Sequence, residues 1–126
     1  MVFRVFPKPK KIFIKIMHGA FHLIGFVFVC LGMATAFRSH NQVINSNNDT
    51  IPHLFSCHSW LGLAVFILYV LQWIAGFLSF LFPMLPDKLR ARFLPHHKFW
   101  GLAIFGLVIA TVLTGISQKA YFILAK

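Results

Sequence analysis

Acidic residues are almost absent: Asp49 and Asp87 are the whole complement in 126 residues, against 12 Lys plus Arg and 7 His. Cysteine is as scarce, with Cys30 and Cys57 alone. Two isolated cysteines make neither a disulfide framework nor a zinc pattern, and their ordinary role is that of small apolar packing residues. Charge of either sign is missing from long stretches. No Asp, Glu, Lys or Arg occurs from Thr50 to Pro86 or from Phe99 to Gln118, and Ile16 to Phe37 is interrupted only by His18 and His22. A bilayer core of about 30 Å needs roughly 20 helical residues, so each stretch is long enough to cross one. With 59% hydrophobic residues, the chain is excluded from the ordinary soluble class. The expected fold is an all-α membrane protein.

The basic residues that are present sit at the ends of the apolar stretches. Arg4, Lys8, Lys10, Lys11 and Lys15 precede the first, and Lys88, Arg90, Arg92 and Lys98 separate the second from the third. A net charge of +10 therefore points to topology and not to a nucleic-acid partner. By the positive-inside rule the N-terminus and the 83–98 loop are cytoplasmic, and the 38–56 loop, with Arg38 and Asp49 alone, is luminal or extracellular. Asn48-Asp49-Thr50 is a glycosylation sequon in that outer loop, which agrees with this orientation. Spans are expected at about 15–37, 56–82 and 97–117 within one unit, 1–126. Pro83 and Pro86 end the second span, and Pro95 opens the third near its first turn. Gly25 and Gly32, in register with His18, form a small-residue seam for close helix packing. An odd number of spans leaves the C-terminus outside.

An internal repeat links two of the spans. Cys57-His58-Ser59-Trp60-Leu61-Gly62-Leu63-Ala64 returns thirty-nine residues later around His97, Gly101, Leu102 and Ala103. In both copies a glycine follows the histidine by four positions, so imidazole and gap share one helix face, where a flat cofactor could approach the backbone. The two copies start from opposite membrane faces. His18 and His97 lie at the inner level and His58 at the outer. Imidazoles on facing helices are a natural axial pair for haem iron. Zinc would need four ligands, and no cysteine or carboxylate lies near His18 or His97 in sequence. Histidines bonded to neighbouring helices, and a proton or metal pathway, remain the other readings of the same residues. His22, one turn after His18, reads as a core histidine bonded to a neighbouring helix. His96 points about 100° from His97, so both cannot bind one iron. His40 and His53 fall in the outer loop, where a solvated histidine is the ordinary expectation. Trp60 and Trp100, near the span starts, read as interfacial anchors.

Lys15-Ile16-Met17-His18-Gly19, Phe37-Arg38-Ser39-His40-Asn41, Ser56-Cys57-His58-Ser59-Trp60, Gln72-Trp73-Ile74-Ala75-Gly76-Phe77 and Leu89-Arg90-Ala91-Arg92 leading to Pro95-His96-His97 together resemble the cytochrome b561 family over nearly the whole chain. The resemblance implies a six-span haem protein that carries electrons from cytosolic ascorbate to monodehydroascorbate or ferric iron across a membrane. Its four central helices hold two b haems between two pairs of histidines. Carried over, His18 and His97 match the inner pair and His58 one ligand of the outer pair. Lys11, Lys15, Arg90 and Arg92 match the basic surroundings of the ascorbate site, and His40 matches the outer substrate histidine. Val2–Phe6 resembles the end of the family's second helix. On that alignment the chain holds three spans plus a short N-terminal remnant of a four-helix haem-binding bundle, and His58 has no ligand partner within it. The outer loop is longer than the family's, with Ser46–Asp49 as an insertion. The expected partners are ascorbate, monodehydroascorbate or ferric iron and the lipid bilayer, with a homodimer as one arrangement. The membrane is a plasma, lysosomal or other endomembrane. A histidine-lined transporter or channel subunit, and a structural fragment without cofactor, are the competing functions.

Overall fold

A computed structural model describes residues 11–42, 52–81 and 85–124. The expected N-terminal remnant, the sequon and the expected 46–49 insertion lie outside the described residues, as does Pro83. Three helices follow in order: α1 (Lys11–Gln42), α2 (Cys57–Gly76), which continues into one π-helical turn at Phe77–Leu81, and α3 (Asp87–Leu124). All three are long and apolar enough to cross a membrane. In lipid every backbone amide must find its partner within the protein, and a helix satisfies all of them locally. The chain is an all-α membrane protein.

Two helices outrun the apolar stretches that define them. α3 begins at Asp87, not near Pro95, and at about 1.5 Å per residue it is nearly twice as long as a bilayer core is thick. Pro95 lies inside it. The lost amide frees the carbonyl of Ala91, and both residues are exposed in the basic part of the helix, so water can satisfy it. α1 runs on to Gln42, which places Arg38, His40 and Asn41 on its last turns and not in a loop. Ser56 caps α2, its hydroxyl accepting from the amide of Ser59 at 3.2 Å.

α2 and α3 form the most extensive contact, while α1 packs on the π turn and on α2. Gly62 meets Thr111, Gln72 meets Gly101 and Gly76 meets His97, the order of an antiparallel pair. Few side chains are buried among the described residues. Apart from Ser79 in the π turn they are Ile14, Val65 and Ile104. Val65 and Ile104 are thirty-nine apart, so the sequence repeat is also a near two-fold axis of the α2/α3 pair. Most of the large apolar side chains face outward, Phe28 at 70% exposure among them. Such a surface suits hydrocarbon and not water. The expected glycine seam of α1 is half present: Gly25 approaches the Tyr69 hydroxyl at 3.4 Å, and Gly32 faces open space.

Candidate haem and electron-transfer site

His18 on α1 and His97 on α3 face each other with ring centroids 6.5 Å apart and planes at 80°. α1 and α3 do not pack along their length, so the two rings span a cleft. Two imidazoles bound to one iron through bonds of about 2.0 Å have centroids about 6.3 Å apart. The observed spacing therefore fits a bis-histidine haem. Among the described residues the His18 ring makes no side-chain hydrogen bond, and the Nε2 atom of His97 has none. Each keeps a nitrogen for a metal. No three His, Cys, Asp or Glu side chains converge among the described residues, which argues against a closed zinc site.

His97 is held on several sides. Gln72 on α2 donates from Nε2 to the His97 carbonyl at 2.6 Å and lies 3.0 Å from its Nδ1. Phe80 of the π turn packs on the ring at 5.2 Å and Phe93 at 6.1 Å. Gly76 is the floor: a Cβ there would come within 2.7 Å of His97 Cε1. The π turn begins at the next residue, and one-turn π distortions are common at functional sites. His96, by contrast, is exposed.

The second level repeats this design at the other end of the pair. His58 donates from Nδ1 to the carbonyl of Thr111 at 2.9 Å, which fixes the tautomer and leaves the Nε2 lone pair free. A Cβ on Gly115 would meet His58 Cε1 at 2.8 Å. Thr111 and Gly115 stand thirty-nine residues beyond Gln72 and Gly76, as His97 does beyond His58. The glycines that seat the imidazoles thus belong to the facing helix. Gly62 and Gly101, the gaps expected beneath the histidines, instead make ordinary contacts with Thr111 at 3.5 Å and Gln72 at 3.6 Å. His58 opens on a groove of about 580 Å³ shared with Val112, Ile116, Lys119 and Ile123. Eighteen residues of α2 separate His58 from Gly76, so the two levels are about 27 Å apart along the helix.

His22 is a strut between helices. Tyr69 donates to the His22 carbonyl at 2.6 Å, and His22 Nδ1 donates back to the hydroxyl at 3.2 Å. Its ring also packs edge-on to His18, 4.5 Å between centroids. Tyr69 and Gly115 did not stand out in the sequence, and Gly76 entered only as part of the segment Gln72–Phe77. Carrying the thirty-nine-residue register past the first four positions would have found the glycines.

The basic residues at this end are divided. Lys15 donates to the Phe80 carbonyl at 3.3 Å, tying α1 to the π turn. Arg90 pairs with Asp87 one turn earlier. Arg92 and Lys88 line a groove of about 660 Å³ with Pro86, Leu89 and Ala91. The Lys11 side chain lies outside the described residues. At the far end of α1 His40 is half-buried beside His53, and Cys57 is exposed, so it does not pack as a small apolar residue would.

Known proteins carry the same chain pattern. Relatives include a plasma membrane ascorbate-dependent reductase of Xenopus tropicalis, 43% identical over 92% of this chain and 39% of its own length. A transmembrane ascorbate-dependent reductase of Bos taurus is 39% identical over 97% of this chain and 46% of its own. A lysosomal membrane ascorbate-dependent ferrireductase of Mus musculus is 39% identical over 87% and 43%. The chain thus spans less than half the length of the curated relatives it matches. The family model described as eukaryotic cytochrome b561 matches residues 1–123. With that match over nearly all its residues, the chain belongs to the eukaryotic cytochrome b561 family.

Proposed function

We propose that this chain forms part of an ascorbate-dependent transmembrane reductase, in which electrons pass from cytosolic ascorbate to monodehydroascorbate or ferric iron on the opposite side. The observation that carries the reading is the facing pair His18 and His97, two imidazoles from different helices at the spacing one iron requires. These two residues hold the inner b haem and His58 contributes to the outer one. Haem, when bound, supplies the one-electron couple that amino-acid side chains lack. The side chains orient the ligands, exclude water with Phe80 and Phe93, and keep the two levels apart. The end of the bundle that carries Lys15, Lys88, Arg90 and Arg92 is cytosolic, and the end with His40 is luminal or extracellular. The three helices are spans within the family's larger bundle, and a homodimer is compatible with their exposed faces. A reduced-minus-oxidised visible spectrum of the purified protein tests the reading: a bis-imidazole haem band supports it, and colourless protein with correct membrane insertion overturns it.

Ascorbate is an anion near neutral pH, so charge-assisted hydrogen bonds from Arg92 and Lys88 in the 660 Å³ groove suit it. Arg90 already has a carboxylate partner. Arg92→Ala is therefore expected to slow reduction by ascorbate about tenfold with the haem band intact, and Arg90→Ala to slow it less. Stopped-flow reduction at several ascorbate concentrations measures both, and equal rates in Arg92→Ala and wild type remove the groove as the donor site.

Gln72→Leu deletes the hydrogen bonds that orient His97. Loss of such a supporting partner typically costs 10–100-fold in metal-site affinity. The expected result is faster haem loss to apomyoglobin and a shifted midpoint potential, with unchanged helical circular dichroism.

A further inference from the structure

We propose that Tyr69 is a positioning residue for the inner haem: by clamping His22 it holds the His18 imidazole nearly perpendicular to that of His97, and this angle raises the inner haem's reduction potential. The role rests on the reading of His18 and His97 as that haem's ligands. Their planes stand at 80°. His97 is oriented by Gln72, Phe80 and Gly76, but the His18 ring makes no side-chain hydrogen bond among the described residues. Its plane is therefore set by what packs against it. The His22 ring meets it edge-on at 4.5 Å and 79°, the near limit of edge-to-face contact. His18 cannot swing toward the plane of His97 while His22 stays in place.

His22 stays in place because α2 holds it twice. The Tyr69 hydroxyl has a single proton, which goes to the His22 carbonyl at 2.6 Å, so it accepts from His22 Nδ1 at 3.2 Å. One side chain thus fixes both the backbone position and the ring direction of His22. The two rings also pack at 5.6 Å. Gly25 leaves the hydroxyl its place, since a Cβ there would lie 3.4 Å from it. Tyr69 and Gln72 are three positions apart on α2 and hence neighbours on its surface. A helix that gives this haem no ligand therefore governs both of its ligand planes. The thirty-nine-residue register carries Gln72 to Thr111, which bonds His58, but carries Tyr69 to Val108, which has no polar side-chain atom. The clamp belongs to the inner level alone.

The angle matters because each imidazole donates π density into the iron d orbital perpendicular to its own plane. Parallel planes load one orbital and split the pair, which stabilises the ferric form. Perpendicular planes load both alike, leave them close in energy and remove that preference. Ligand geometry is thus a lever on potential in the same way as ligand identity and supporting hydrogen bonds. A perpendicular pair is easier to reduce and shows a larger highest g value in the ferric state. At the donor end of the bundle, an easily reduced haem favours entry of the electron.

The test uses the haem-loaded protein in lipid nanodiscs, with the inner haem's paramagnetic resonance signal identified as the one missing in His18→Gly. Wild type is expected to give a strongly anisotropic low-spin ferric signal for that haem. Tyr69→Phe, which removes only the hydroxyl, should lower its highest g value and its midpoint potential, while the bis-imidazole band and helical circular dichroism persist. His22→Asn, which keeps a donor for the hydroxyl but lacks the ring, should do the same. Because Tyr69 acts through His22, adding Tyr69→Phe to His22→Asn should change neither reading further. A merely structural tie between α1 and α2 would instead hasten haem loss in Tyr69→Phe with g value and potential unmoved, and that result overturns the role. Additive effects in the double variant, or a wild-type signal of the parallel-plane kind, overturn it too. Failure of the haem reading shows separately, as absence of any low-spin haem signal in wild-type protein.

Discussion

Gly76→Val is expected to abolish the inner haem band almost as completely as removal of His97 itself, while the protein still inserts with native helix content. Even the first added carbon would lie 2.7 Å from His97 Cε1, inside any tolerable contact, and valine adds two more. The strain is relieved most cheaply by rotating the imidazole, because the backbone of α2 is held by its extensive packing on α3. Overpacking of this kind costs about 1–3 kcal/mol in place, which is roughly a 5- to 150-fold loss if it falls on ligand geometry. Gly106→Ala is the control, since nothing stands within 4 Å of its added carbon. Gly101→Ala, whose nearest neighbour is at 3.6 Å, should also keep the band. A haem titration followed at the Soret maximum distinguishes the three. An unchanged band in Gly76→Val would mean that His97 is not seated as a ligand.

His18→Gly is expected to lose the reduced bis-imidazole band of the inner haem, and millimolar imidazole is expected to restore a large part of it. His18 makes no side-chain hydrogen bond among the described residues, so its removal leaves the helix contacts standing. Removal of the His18 side chain leaves room of imidazole size opposite His97, and a free imidazole can take the vacated place. His22 sits one turn away with its ring 4.5 Å from His18, but its bonds with Tyr69 of α2 fix the direction of the ring, although they leave Nε2 free. It is therefore not expected to substitute as ligand in the variant. Tyr69→Phe in the His18→Gly background checks this: recovery of the band there without added imidazole would show that the Tyr69 bond is what holds His22 away. A band that survives His18→Gly alone would overturn the assignment of the inner pair.

Much of the architecture could be read from the residues in order. The three uncharged runs gave the three helices, and the thirty-nine-residue repeat marked α2 and α3 as related. The repeat was nevertheless misread locally. Gly62 and Gly101 follow the histidines by four positions and so invite pairing with them on one face, yet they serve the packing of the two helices. The seats, Gly76 and Gly115, lie eighteen positions away from His58 and His97 in sequence and touch the opposite member of each pair. Pro95 similarly suggested a helix start because proline is tolerated there, but the exposed basic turns before it extend the helix to Asp87. His53 is an exposed loop histidine as expected, and the extension of α1 to Gln42 brings His40 and Asn41 beside it.

By itself the sequence determined the class of the protein and the sign of charge at each end of its spans. Both follow from local facts: an uncharged run of sufficient length must satisfy its own backbone in lipid, and a helix is the local way to do so. The tertiary structure alone decided which imidazoles face each other, which glycines make room for them, and which basic groups are already engaged. Those outcomes depend on the rotation and antiparallel register of one helix against another. Register is set by small contacts summed along the whole interface, and no short stretch of the chain carries it.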